Sequence, residues 1–174
     1  MKIAEGSSPL CLACGLCCKG MLHEYVEVQP PELQLVGSLG VTIETFRNQA
    51  VGFRLPCVLY RNEGCSAYAH RPVACQEYRC VLLQKLDKGQ ITLENALAIV
   101  NETKGLIAEI DDQEEGTSLR RRLLESWDAQ LGLVGTGAVR QAHAAFALRA
   151  ATLDVVIQEH FRGPEEHDPP PAPR

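Results

Sequence analysis

Nowhere in the 174 residues does an apolar run approach the roughly 20 that a membrane-spanning helix needs, which excludes a helical span. An apolar stretch is also missing after Lys2, so Met1 to Pro9 does not read as a secretory signal, and the expected location is the cytoplasm. A basic patch is missing too. Residues 1–85 carry eight basic against seven acidic side chains and residues 86–174 nine against fifteen, for a net charge of −5. The triplet Arg120-Arg121-Arg122 fans out over different faces of a helix, so nucleic acid is not an expected partner.

Other absences narrow the chemistry. No Ser/His/Asp order, paired-carboxylate motif or phosphate loop points to a hydrolase or transferase. The glycine-rich run Gly132 to Gly137 joins two expected helices instead of following a strand, so it fails as a nucleotide loop. There is no repeat, and no Cys-x3-Cys-x2-Cys of the radical S-adenosylmethionine type. Cysteine itself is missing from everything beyond residue 80.

What is there is concentrated. Cys11, Cys14, Cys17, Cys18, Cys57, Cys65, Cys75 and Cys80 are spaced as Cys-x2-Cys-x2-Cys-Cys, then 38 residues, then Cys-x7-Cys-x9-Cys-x4-Cys. In a reducing compartment dense cysteine points to metal or catalysis, with disulfides as the plainer alternative. A tight CxxC turn lets two sulfurs converge on one centre, and Gly15 supplies a residue without Cβ where that turn calls for positive φ. Eight thiols exceed the four ligands of a structural zinc. Two four-cysteine zinc sites, or a cysteine-ligated iron–sulfur cluster with thiols left over, both satisfy the arithmetic. Adjacent side chains such as Cys17 and Cys18 do not easily grip one tetrahedral ion, so one of the pair is expected at a different centre. Cys75 and Cys80 are also candidates for plain packing. His23 and His70 lie near the cysteine groups and are candidate ligands or ordinary neighbours, whereas His143, His160 and His167 belong to no pattern.

The expected architecture is mainly α, with a small irregular α+β cysteine-rich metal-binding module at the N-terminus and a helical C-terminal half. Its expected boundaries are 1–85 for the module, 86–162 for the helical region packing on it, and 163–174 for a disordered tail. Tyr25 to Val28 alternates like a strand and stops at Pro30-Pro31; Pro31 opens a short helix that Gly37 ends. Thr42 is expected to cap a second short helix through Phe46 and Gln49. Arg54 to Tyr60 reads as a strand, with a tight turn at Arg61 to Gly64. Thr92 caps a helix carrying Leu93, Leu97, Val100, Leu106, Ile107 and Ile110; Ser118 caps another through Trp127; a third runs from Thr136 to Phe161 along Ala142, Phe146, Ala150, Leu153, Ile157 and Phe161.

Cys11-Leu12-Ala13-Cys14-Gly15-Leu16-Cys17-Cys18, Pro56-Cys57, Gly64-Cys65 and Tyr68-Ala69-His70-Arg71-Pro72-Val73-Ala74-Cys75 resemble the CxxCxxCC cysteine-cluster family, the YkgJ-like proteins described as chelating zinc or iron. Ala67 stands where that pattern often has a bulky aliphatic, and Gln76 where it has a basic residue; both leave the thiols intact. The resemblance implies zinc or iron, including an iron–sulfur cluster, held by the eight cysteines in a non-enzymatic protein. Its helical half would then supply a core or a face for a protein partner. A similar cysteine pattern in some flagellin lysine-N-methylases implies the alternative of an iron–sulfur-dependent redox or protein-modifying enzyme, for which this chain is short. In Arg71-Pro72 the proline fixes the turn before Cys75, and the arginine either offsets thiolate charge or forms a surface ion pair.

Overall fold

The computed structural model describes residues 8–46, 48–110 and 137–163, with side chains of the last helix described from residue 146. The chain opens with α1 (Pro9–Cys14). Ser8 caps it by accepting from the Cys11 amide, Pro9 fills the first turn where no amide partner is needed, and Gly15 closes it at φ 70°. After a compact turn, β1 (Tyr25–Glu27) leads through a 3-10 turn (Pro30–Glu32) into α2 (Leu33–Ser38). Then come β2 (Glu44–Thr45), β3 (Val51–Arg54) and the hairpin β4 (Tyr60–Arg61) and β5 (Gly64–Cys65). A second 3-10 turn (Tyr68–His70) precedes α3 (Val73–Glu77), α4 (Val81–Asp87), α5 (Leu93–Ile110) and α6 (Gly137–His160).

The larger sheet has the order β1-β3-β2, antiparallel throughout, with Val26 opposite Phe53 and Thr45 opposite Val51. Gly52 sits on the middle strand because a Cβ there would run into the Val26 carbonyl. The β4–β5 hairpin turns on Asn62 (φ 49°) and Glu63 (φ 59°), the positive pair a two-residue turn demands.

Two apolar clusters organise the packing. Val28, Val36, Val41, Phe53 and Leu55 close the space between the larger sheet and α2. The other joins Leu10, Leu16, Met21 and Leu22 to Leu82, Leu83, Ala96, Val100, Ile107, Ile110, Leu153, Ile157 and Phe161, so the first cysteine segment shares one core with α4, α5 and α6. Phe161 follows the last residue of α6, and its carbonyl accepts from the Val81 amide (3.2 Å). Next to it the buried Arg162 donates from Nη2 to the Met21 and Leu22 carbonyls (3.1 and 2.9 Å).

Helices dominate, as expected, with small antiparallel sheets. The Thr92 cap is present, its Oγ1 accepting from the Asn95 amide, and the stripe Phe146, Ala150, Leu153, Ile157, Phe161 faces inward. Three local expectations are overturned. The helix expected from Thr42 is instead β2, because Glu44 and Thr45 find partners in Gly52 and Val51, and tertiary pairing outweighs an isolated cap signal. Arg54 to Tyr60 is not one strand: β3 ends at Arg54, the Leu55–Pro56 peptide is cis, and Tyr60 begins a strand of the separate β4–β5 hairpin. Gly37 lies inside α2, which continues to Ser38. The helix expected from Ser118 and the tail from residue 164 lie outside the described residues. Among the described residues no helix is long and apolar enough to cross a membrane.

Candidate metal centre

Each cysteine is placed by a local rule. Cys11 and Cys14 sit on α1, one turn apart. Beyond Gly15 the chain folds back through Lys19 N–H to the Gly15 carbonyl, Gly20 to Cys17 and Met21 to Leu16, each 3.0 Å, which sets Cys17 and Cys18 in the turn. Leu16, fully buried, is its anchor in the core. Gly15 is required twice over: its φ is left-handed, and a Cβ would fall within the Tyr60 phenol. The Cys57 amide donates to the Cys18 carbonyl (2.8 Å) and the Tyr60 amide to that of Cys57 (3.0 Å), while Cys65 on β5 pairs with Tyr60. Pro72 (φ −57°) precedes α3 and its carbonyl accepts from the Cys75 amide at 2.9 Å, the role expected of a proline fixing this turn. Cys80 is the N-cap of α4, its sulfur accepting from the Leu83 amide at 3.5 Å.

All eight side chains line one cavity of about 560 Å³. The two sequence groups, separated by 38 residues, therefore meet. None of the eight is in a disulfide; Cys11 is exposed and the others half-buried. Among the described residues no three Cys, His, Asp or Glu side chains converge tightly enough to grip one ion as they stand.

The electrostatics define what the cavity accepts. Burial first, then neighbouring sulfurs, pushes the thiols of Cys14, Cys18 and Cys75 up to about 12 and that of Cys17 well above its usual range. Cys57 is raised as well, chiefly by burial, and so is Cys11, which is exposed as a residue but has protein packed around its thiol at the cavity. Working against this are hydrogen bonds that favour the thiolate: the Leu16 amide on Cys14, the Leu59 and Tyr60 amides on Cys57, and Ser8 on Cys11. Arg71 lowers both Cys11 and Cys75, and Arg79 lowers Cys11. Lys104 lowers Cys14 in the same way, but burial and the neighbouring sulfurs still hold these thiols up, so the crowd of sulfurs calls for more positive charge. A cation fits that need, and an all-sulfur donor set suits zinc or cysteine-ligated iron.

Arg71 is seated on the Tyr68 ring, its guanidinium carbon 3.8 Å from the centroid, and donates to the Tyr68 carbonyl (2.8 Å). Its charge acts to lower the thiols of Cys11 and Cys75, against the larger effect of burial. The Tyr68 hydroxyl accepts from the Ser8 amide at 3.2 Å, joining the RPxxC segment to the start of α1. His23 lines the cavity edge-on to Tyr78 at 4.5 Å between centroids, whereas His70 is exposed outside it. Tyr60 is the residue that sequence reasoning missed. Its Oη is shielded from solvent with no hydrogen-bond partner, and its ionisation is opposed by burial and then by Glu63, Cys18 and Cys14. No spacing signal marks it; only the folded hairpin brings it over Gly15.

No curated protein and no solved structure matches the chain. A family model described as CxxCxxCC, "Putative zinc- or iron-chelating domain", matches residues 10–102, beyond the cysteines and into α5. That match spans more than half of the 174 residues and includes every cysteine, and the chain belongs to the CxxCxxCC family.

Proposed function

We propose that this protein chelates zinc or iron, the iron either as ions or within an iron–sulfur cluster, through the thiolates of Cys11, Cys14, Cys17, Cys18, Cys57, Cys65, Cys75 and Cys80. The observation that carries the reading is that eight thiols from distant parts of the chain line a single cavity. Amide donors already aimed at Cys14, Cys57 and Cys80 support it, because such bonds stabilise sulfur as thiolate, the form that binds metal. When bound, the metal supplies the positive charge that lets the buried sulfurs ionise together. The chain's own part is to aim the sulfurs, limit water, and place Arg71 beside Cys11 and Cys75.

The reading is of a binding protein whose module folds around its metal. Reduced thiols in this number fit the cytoplasm. Anaerobic purification followed by elemental analysis and an absorption spectrum tests it. Stoichiometric zinc, or iron with sulfur-to-iron charge-transfer bands, is the expected result, with loss of folding on strong chelation. Protein that arrives metal-free, takes up neither ion and keeps its full stability would overturn it.

A further inference from the structure

The cysteines group differently in space than in sequence. Cys14, Cys17 and Cys80 pack against the core formed by Leu10, Leu16, Leu82, Val100 and Phe161, whereas Cys57 and Cys75 pack against the separate cluster of Val28, Val36, Phe53 and Leu55. The division passes between Cys17 and Cys18. Cys17 is oriented with the helical core, but the carbonyl of Cys18 is held by the Cys57 amide, and Cys57 is in turn tied to Tyr60, the partner of Cys65. Cys80 lies only five residues beyond Cys75, yet the two belong to different sides, because α4 turns its N-cap sulfur toward the helices.

The mutual repulsions of the sulfurs divide the same way. Cys14 is opposed by Cys80 and Cys11, and Cys17 by Cys14 and Cys80 first, with the adjacent Cys18 next and Cys11 after it. Cys18 is opposed by Cys65, Cys57 and Cys75 ahead of Cys14, and Cys75 by Cys57 and Cys65. Four donors fall on each side, the number a closed tetrahedral zinc site takes.

We infer that the cavity holds two separate four-sulfur centres, one from Cys11, Cys14, Cys17 and Cys80 against the helical core and one from Cys18, Cys57, Cys65 and Cys75 against the sheet cluster. This rests on the chelation reading and sharpens it. The Cys17–Cys18 peptide is the shared wall, with each neighbour serving its own ion. Each centre also joins distant chain: the first fastens α1 to α4, and the second fastens the turn after α1 to the hairpin and α3.

Zn²⁺ titration of the metal-free full chain under reducing, oxygen-free conditions, read by native mass spectrometry after a chromogenic chelator has removed weakly held ions, tests the partition. Four ligands per zinc and eight cysteines give two retained equivalents for the unaltered chain. Cys14→Ser with Cys80→Ser leaves one, and so does Cys18→Ser with Cys75→Ser. Cys75→Ser with Cys80→Ser leaves none. Retention of one equivalent by that last pair, or of only one by the unaltered chain, overturns the partition; uptake of no Zn²⁺ or iron by the unaltered chain overturns the chelation reading beneath it.

A measurement on the unaltered chain covers variants that do not fold. At one equivalent of Zn²⁺, a pulse of thiol alkylation should protect cysteines in the sets 11, 14, 17, 80 and 18, 57, 65, 75. Joint protection of Cys75 with Cys80 would contradict the proposal.

Discussion

Replacing Gly15 by alanine adds one methyl group at the place where α1, the cysteine turn and the β4–β5 hairpin meet. The left-handed backbone at φ 70° costs an L-residue about 1–2 kcal/mol. The new Cβ also collides with the Tyr60 ring and hydroxyl, and overpacking of this kind costs about 1–3 kcal/mol. Against these stands a gain of about 0.4–1 kcal/mol from a stiffer unfolded chain. Net destabilisation of about 1–4 kcal/mol follows, of which only the overpacking part depends on the Tyr60 contact. Urea unfolding of metal-loaded protein, followed by far-ultraviolet circular dichroism at constant slope, measures it. Combining Gly15→Ala with Tyr60→Ala removes the collision and leaves the backbone strain, so the double variant should lose less than the sum of the singles. A Gly15→Ala protein within about 0.5 kcal/mol of the unaltered chain, the range of an ordinary surface change, would refute the reasoning.

Removing the metal exposes the thiols to pH in a definite direction. Their folded values, raised to about 12 for Cys14, Cys18 and Cys75 from 9.0, mean that the folded metal-free chain holds protons the unfolded chain releases. Whatever structure the metal-free chain keeps should be most stable below about pH 9 and lose stability as pH climbs toward 12, as thermal melts across that range would record. Metal uptake at neutral pH should release protons, since those thiols must ionise to bind, and a weakly buffered indicator dye would report the release. Leu16→Ala should cost about 2–5 kcal/mol in urea unfolding, because a fully buried anchor of the cysteine turn is lost. Arg71→Ala should speed metal loss to a competing chelator, more so at low salt, by removing positive charge beside Cys11 and Cys75.

The sequence was most legible where local signals and packing agree. The Thr92 cap, the apolar stripe of α6 and the Asn62-Glu63 turn each follow from a few neighbouring residues, and each is present. What the sequence hid depends on distant partners. Nothing near Thr42 foretells that Glu44 and Thr45 will pair with β3 across a reversal at Gln49, where φ is 66°. Likewise, counting cysteines along the chain groups Cys80 with Cys75. Only the turn into α4 and the helical core behind it send Cys80 toward Cys14 and Cys17.

The hydrogen bonds at Phe161 and Arg162 make the far end of the chain a latch on its beginning. One holds the residue just past Cys80, and the other grips the backbone three and four residues past Cys18. A fragment cut at residue 102, where the family match ends, would thus keep every sulfur yet lose this fastening and the share of the core that Ile107, Ile110, Leu153, Ile157 and Phe161 supply. Whatever tugs on the last turn of α6, whether a protease or a docking protein, thereby pulls on two of the segments that carry the sulfurs.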